Sequence, residues 1–569
     1  MPETELDDSL RHAAPPARIA LCGLGLHTYW PQFPGLRERL CGYVSQTAEW
    51  IELEGVHVTH LGMVDSHQSA CAAASLCRRE EVDALFLHVT TYALSSTVLT
   101  LVRRAAVPVV VLNLQPDDAI DCNAINAMND RAAMTAEWLA WCSACPMPEI
   151  ANLFARVGWP FRQTNGTLRD PASRAEVAQW ACAVRVQASL AQSRVGLMGH
   201  IYSGMLDIAT DITRLAAAFG LHAEMLEVDE LSGLAAEVSP AEIERRACEM
   251  ADHFAIDSDC DEAEIRLAAR TSVALDRFVA AHRLDALAYY AKGSGNPANE
   301  TTLRSIIPGA SLLTAQHIPA AGEYEVKNAV AMKILDLLHA GGSFSEYYAM
   351  DLSDDVVLMG HDGPGHTAIA EGKPRLRPLG VYHGKVGRGL SVEMSVRNGP
   401  VTLLSIAEDS AHGFKLVVAE GASVPGPILE IGNTNSRYRF PLPARQFIQR
   451  WNAEAPAHHC AIGIGHLADT LEKLASLARL GYSRICQNSF AKGVPGKTGT
   501  SQLFLEKSCT SRCRLGHRYH ETARKDACRC SPIASGVSGP TRREIAEQPA
   551  RPAPSARMGS VADDPYPAA

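Results

Sequence analysis

The sequence predicts an α/β protein: two doubly wound (Rossmann-like) α/β domains, then a largely antiparallel β domain with a C-terminal helix. Three observations carry this. From Arg18 to about Gly158, short continuous apolar runs alternate with amphipathic stretches, the mark of parallel strands covered on both faces. The same alternation restarts at Arg194. From about Gly322 it gives way to closely spaced β-type runs broken by Gly and Pro, as antiparallel strands require.

The first domain, 18–190, takes its strands from RIALCG (18–23), VHVTHLG (56–62), ALFLHV (84–89) and VPVVVLNL (107–114). A long helical stretch over 171–192 leads out of it. The second domain, 191–321, opens with a strand at Arg194, and AFGLHAEMLEV (218–228) and LDALAYYA (284–291) supply further strands. The third, 322–486, begins with a helix in YEVKNAVAMKILDLLHAG (324–341). The runs GLSVEMSV (389–396), PVTLLSIAE (400–408), FKLVVAEG (414–421) and GPILEIGNT (426–434) read as its strands, and AHHCAIGIGHLADTLEKLASLARLG (457–481) as its final helix. Residues 1–17 and 487–569 read as disordered tails. The latter is basic, rich in Pro, Ser and Gly, and without apolar periodicity. Its Cys509, Cys513, His517, His520, Cys528 and Cys530 match no standard zinc spacing.

Composition narrows the function. At 569 residues, with 47% hydrophobic and 20% charged residues, the chain is long enough for several ordinary globular domains. It holds no apolar run of about 18 residues, so no membrane partner is expected. A net charge of −10 argues against a nucleic-acid partner. The start MPETELDDSLRHAAPPAR lacks the basic and apolar regions of a secretory signal. The cysteines of 1–485 read as scattered thiols in apolar context, and a reduced, cytoplasmic protein is expected.

The stretch 342–366, GSFSEYYAMDLSDDVVLMGHDGPGH, concentrates the chemistry. An aromatic-rich run and a short apolar run flank the turn chemistry Ser353-Asp354 and predict a β-hairpin. A turn centred there sets Glu346 opposite His361, and directly opposed side chains lie about 5 Å apart on one face. Asp351 is a competing carboxylate. It is five residues from Glu346, so on a regular strand the two face opposite ways. Two other segments hold ligand-type residues: GEYEVKNA (322–329), where Glu323 precedes a helix whose N-terminus favours its ionised form, and PAHHC (456–460), with His458 and His459 adjacent. Adjacent histidines point apart, so one of them is expected to serve a given metal. His466 stands nearby. Carboxylates with histidines suit Mn²⁺ or Mg²⁺ better than a closed structural zinc site.

Taken in chain order, GEYEVKNA, SFSEYYAMDL, LMGHDGPGH and AHHC resemble the L-arabinose and L-fucose isomerase family over roughly residues 18–485. The resemblance implies a divalent metal, Mn²⁺ or alternatively Mg²⁺ or Co²⁺, held by Glu323, Glu346, His361 and His459. Glu323 and Glu346 would be the catalytic pair in an aldose–ketose isomerisation of an open-chain sugar through an enediol. GLGLHTYW (23–30) and LHVTTYALS (87–95) resemble the family's N-terminal loops, which implies substrate contacts for His27 and His88. A homo-oligomer with shared active sites is implied as well. LMGHDGPGH and HIYSGM (200–205) depart from the arabinose isomerase pattern, which bears on the choice of sugar. The alternative from another class is a non-catalytic sugar-binding or sensing protein of similar fold, which needs no such ligand set. A metal-dependent hydrolase built on HDGPGH is a third reading.

Overall fold

The first five strands of the computed structural model are β1 (Arg18–Leu24), β2 (His57–Val64), β3 (Ala84–Val89), β4 (Val109–Gln115) and β5 (Gln163–Thr167). They form one parallel sheet in the order β2-β1-β3-β4-β5. The structure describes residues 16–290, 295–380, 388–409 and 413–485. Every residue of β3 is buried, as a strand covered by helices on both sides must be. β5 (QTNGT) is a polar edge strand that no apolar run announces. Of the expected N-terminal tail, residues 1–15 lie outside the described residues, whereas Ala17 is buried and its carbonyl accepts from His57 N at 2.8 Å. The expected tail 487–569, with its cysteines and histidines, lies outside the described residues.

The helix Pro171–Gln192 occupies the predicted span. Asp170 caps it by accepting from Ala172 N and Ser173 N, and Pro171 fills a first-turn position whose N–H would be unpaired anyway. A second parallel sheet follows, built from β6 (Arg194–Gly199), β7 (His222–Leu226), β9 (Ala286–Tyr290) and β10 (Ala320–Ala321) in the order β10-β9-β6-β7. The intervening β8 (Ala255–Ile256) leaves to pair elsewhere.

Beyond these, the fold is largely antiparallel. The strands are β11 (Gly341–Asp351), β12 (Val356–His361), β13 (Arg375–Pro378), β14 (Leu390–Glu393), β15 (Gly399–Asp409), β16 (Gly413–Ser423), β17 (Thr434–Arg439), β18 (His459–Ile464) and β19 (Gly481–Arg484). The main sheet runs β15-β18-β11-β12-β17-β16-β19, and an added β15–β16 pairing closes its first six strands into a barrel. β13, β14 and β8 make a small separate sheet, and among the described residues the only parallel strand pairings here are of β19 to β16 and of β13 to β8. The helix Val326–Leu337 is buried from Val326 to Asp336, with the polar Lys327, Asn328, Lys333 and Asp336 included. It shares a core with Phe344 of β11, Ala461 of β18 and Ala288 of β9, and so fixes the barrel against the second sheet.

Two sequence expectations fail here. GPILEIGNT is a loop up to Asn433, because Gly426 and Gly432 take φ of 150° and 84°; the strand starts only at Thr434. The stretch 457–481 divides into strand β18 and a helix, Ala468–Ala478, so His459 opens a barrel strand rather than a helix.

Candidate metal centre

The hairpin β11–β12 forms with the expected tip: Asp351 pairs Val356 and Met350 pairs Val357. A β-bulge between Tyr347 and Ala349 then shifts the register by one residue. Glu346 therefore lies opposite Gly360 rather than His361. On its other side Glu346 pairs directly with His459 of β18, so these two share a face. His361 joins them from the end of β12. A Cβ on Gly360 would come within 1.7 Å of the Thr434 carbonyl, so β17 crosses β12 too closely for any side chain just before His361. Gly363 N donates to His361 Nδ1 at 2.8 Å and orients the ring, which packs on Phe344 with centroids 4.3 Å apart. A metal bound at Nδ1 would replace that amide proton.

Glu323 arrives from the second sheet, just after β10. Glu323 and Tyr324 both sit in the left-handed region, with φ of 57° and 61°. Such a pair is uncommon for residues with side chains and persists only where the surroundings hold it. Tyr324 N donates to Tyr289 O at 3.0 Å and anchors the turn to β9. The turn sets Glu323 Oε2 3.3 Å from His459 Nε2 and 3.9 Å from His458 Nε2.

Around His459 the structure brings together two overlapping groups of possible ligands, Glu346–His361–His459 and Glu323–His458–His459. Within each group the ligand atoms all lie within 4.8 Å of one another. The four expected ligands are thus divided between two groups that share His459. His458, expected to point away, joins the second. The donor set suits a divalent cation on a further ground. Both ring nitrogens of His459, Glu323 Oε2 and both Glu325 carboxylate oxygens are buried without a hydrogen-bond partner among the described residues. Buried polar groups are rarely left so.

Electrostatics separates the carboxylates. Burial raises the Glu323 pKa, but the neighbouring His458 and His459 outweigh it and hold the group well below the usual carboxylate range. It is ionised as expected, though through the histidines rather than the helix end. Burial pushes the Glu346 carboxyl up, and the charges of Glu323 and Asp362 add to this against His459 and His458. Burial lowers the His458 pKa, but Glu323 and Asp207 carry it up to about 9.

Sequence reasoning missed two of these neighbours. Asp207 Oδ2 lies 2.6 Å from His458 Nδ1 and accepts from His458 N at 2.9 Å. Glu325, fully buried, stands 3.6 Å from His459 Nδ1, the side from which a carboxylate orients a ligating imidazole. Lys327 Nζ donates to Asp207 O at 2.8 Å and lies 3.8 Å from Glu325 Oε1, which ties both to one helix end. Only the charges in GEYEVK hinted at this. Beside the cluster opens a cavity of about 330 Å³ lined by Asp207, Glu346, Tyr347, Trp451 and His458.

The remaining expected residues lie elsewhere. Asp351 is at the hairpin tip, where Oδ1 accepts from Ser353 N and Asp354 N, both at 3.0 Å. His466 Nε2 contacts Gly421 O at 3.0 Å. His27 is exposed on the loop after β1, with Nδ1 3.2 Å from Asp65 O. His88 is fully buried in β3 with Nδ1 3.2 Å from Thr47 Oγ1, which leaves it no surface for a ligand. Neither histidine belongs to either ligand group.

No family model matches this chain. It is 25% identical over 343 residues to a protein of Nocardioides sp. described as an L-arabinose isomerase, in a match that spans 57% of this chain and 67% of the relative. The chain is thus distantly similar to a sugar isomerase and carries residues able to hold a metal. Among the described residues, no helix is long and apolar enough to cross a membrane.

Proposed function

We propose that the chain is a metal-dependent aldose–ketose isomerase, with Glu323, Glu346, His361 and His459 as the residues that hold the ion. The observation that carries this is the pair of ligand groups meeting at His459, with buried donor atoms that have no hydrogen-bond partner among the described residues. The distant likeness to an L-arabinose isomerase supports the reaction class. Mn²⁺ is the ion of choice, with Mg²⁺ or Co²⁺ as alternatives.

When bound, the ion would act as a Lewis acid toward the carbonyl and adjacent hydroxyl of an open-chain sugar, which acidifies the C2 proton. The chain's own residues divide the rest. Glu346 lines the cavity while Glu323 is enclosed by two histidines, so Glu346 is placed to move a proton between C2 and C1 and Glu323 to anchor the ion. Glu325 orients His459, and Asp207 holds His458 at the cavity wall. A homo-oligomer acting on a small sugar in the cytoplasm completes the proposal, with a sugar contact for the exposed His27 and none for the buried His88. The test is a panel of aldoses with Mn²⁺, read as ketose before and after chelation. Ketose that disappears on chelation and returns with metal is expected. Sugar binding that survives chelation, with no ketose from any aldose, would make the chain a binding protein.

A further inference from the structure

We infer that Cys142 and Cys145 form a redox-active dithiol, which a disulfide oxidant of the glutathione class converts to an intramolecular disulfide. The inference is independent of the isomerase reading. The sequence Trp141-Cys142-Ser143-Ala144-Cys145-Pro146 places two thiols three residues apart at the entry to the helix Met147–Arg156, which corrects the reading of the cysteines as scattered. The spacing is the one by which vicinal thiols close a small disulfide loop.

Three structural observations go beyond the spacing. The Cys145 thiol is close enough to raise the charge cost of the Cys142 thiol, with the two at the ends of a four-residue stretch. The two thiols differ in access. Cys145 is exposed, whereas Cys142 is buried in a cluster with Leu36, Leu40, Met63 and Leu139. All described cysteines are free thiols, so the pair stands in its reduced form. Cys22 and Cys77 provide the contrast: near enough to influence each other, but both buried from any oxidant. The dithiol also abuts the switch point of the first sheet, where the chain leaves β1 and β3, since Tyr29, Trp30, Phe33 and Tyr92 pack on the same cluster.

The chemistry proceeds in a definite order. The Cys145 thiolate attacks one sulfur of oxidised glutathione, breaks its S–S bond and releases one glutathione thiolate. The Cys142 thiolate then attacks Cys145 Sγ, forms the internal S–S bond and releases the second. The two protons lost by the cysteines end on the two glutathiones, and two electrons pass from protein to glutathione. Burial, then the neighbouring Cys145, pushes the Cys142 thiol up to about 12, so the exposed Cys145 is the thiol that attacks first. A neutral mixed disulfide at Cys145 removes the second of those causes and so eases loss of the Cys142 proton.

The experiment equilibrates the full chain in glutathione buffers of rising oxidised fraction, blocks free thiols after acid quench and unfolding, and weighs the tryptic peptide Ala132–Arg156. That peptide contains no other cysteine. The expected course is direct conversion from a doubly alkylated peptide to an unalkylated one lighter by two hydrogens, while Cys22 and Cys77 stay reduced. Cys142→Ser should instead accumulate a glutathione adduct on Cys145, and Cys145→Ser should leave Cys142 unmodified. A wild-type peptide that stays doubly alkylated throughout, or one that ends as a stable glutathione adduct, would overturn the inference. So would oxidation of Cys22 and Cys77 at the same ratio, since the pair would then hold no special reactivity.

Discussion

Glu346 and Asp351 lie on one strand, five residues apart, and only Glu346 faces the histidines. Glu346→Gln keeps the side chain's shape and removes the charge that proton transfer needs, so isomerase activity should fall about 10²–10⁴-fold with the fold intact. Asp351→Asn should keep most activity, because the Asn side-chain oxygen still accepts from the Ser353 and Asp354 amides. Steady-state rates of the two variants side by side check this; an inactive Asp351→Asn beside an active Glu346→Gln would contradict it. His361→Ala should lower bound Mn²⁺ per chain, read by metal analysis of purified protein, whereas unchanged stoichiometry would remove His361 from the site. The cluster was legible because four short segments each carry ligand-type residues in a recognisable order. Asp207 and Glu325 were not: a carboxylate in LDI or EYEV looks the same whether it meets solvent or a histidine. Only the fold reveals that Asp207 is 251 positions from the histidine it contacts.

The hairpin shows what an element's sequence can and cannot convey. Turn residues and alternating apolar positions set the register at its tip, as read. No local pattern announces the bulge at Tyr347–Ala349, where the Tyr347 ring lies 6.1 Å from Trp451 and the Tyr348 hydroxyl 3.2 Å from Asn433. GPILEIGNT misled for a related reason. Its apolar residues suggest a strand, but its glycines adopt conformations that a strand does not use. Gly360 is the most restrictive position of the element. Gly360→Ala sets a methyl against the backbone of β17, which cannot swing aside as a side chain can. The expected cost is about 1–3 kcal/mol of stability together with weaker Mn²⁺ binding, measured by urea unfolding and metal titration. Wild-type values for both would show that the close crossing does not place His361.

At the scale of the whole molecule, the two parallel sheets were legible because strands buried on both faces must be apolar throughout. Polar β5 and the two-residue β8 and β10 had no such signature. The buried histidines that the fold encloses give it a pH dependence. Burial lowers His88 to about 4, and burial, with His317 adding, lowers His366 to about 4 from the ordinary 6.5. The unfolded chain therefore takes up protons first as pH falls below about 6.5. Stability present above that value is lost progressively down to about pH 4, by about 3 kcal/mol for each histidine. Urea midpoints for wild type and His366→Gln at pH 7, 5 and 4 check the sign: the variant should lose less on acidification, and equal slopes would contradict it. The central claim, that the cluster at His459 interconverts an aldose and a ketose, is tested most directly by NMR of product formed in D₂O with Mn²⁺. Wild type and Glu346→Gln should be run together, with bound metal measured in each. The account predicts ketose carrying solvent deuterium at C1 from wild type, and about 10²–10⁴-fold slower formation from a metal-loaded Glu346→Gln. Ketose at the wild-type rate from Glu346→Gln, or no ketose from metal-loaded wild type with any aldose, would contradict it.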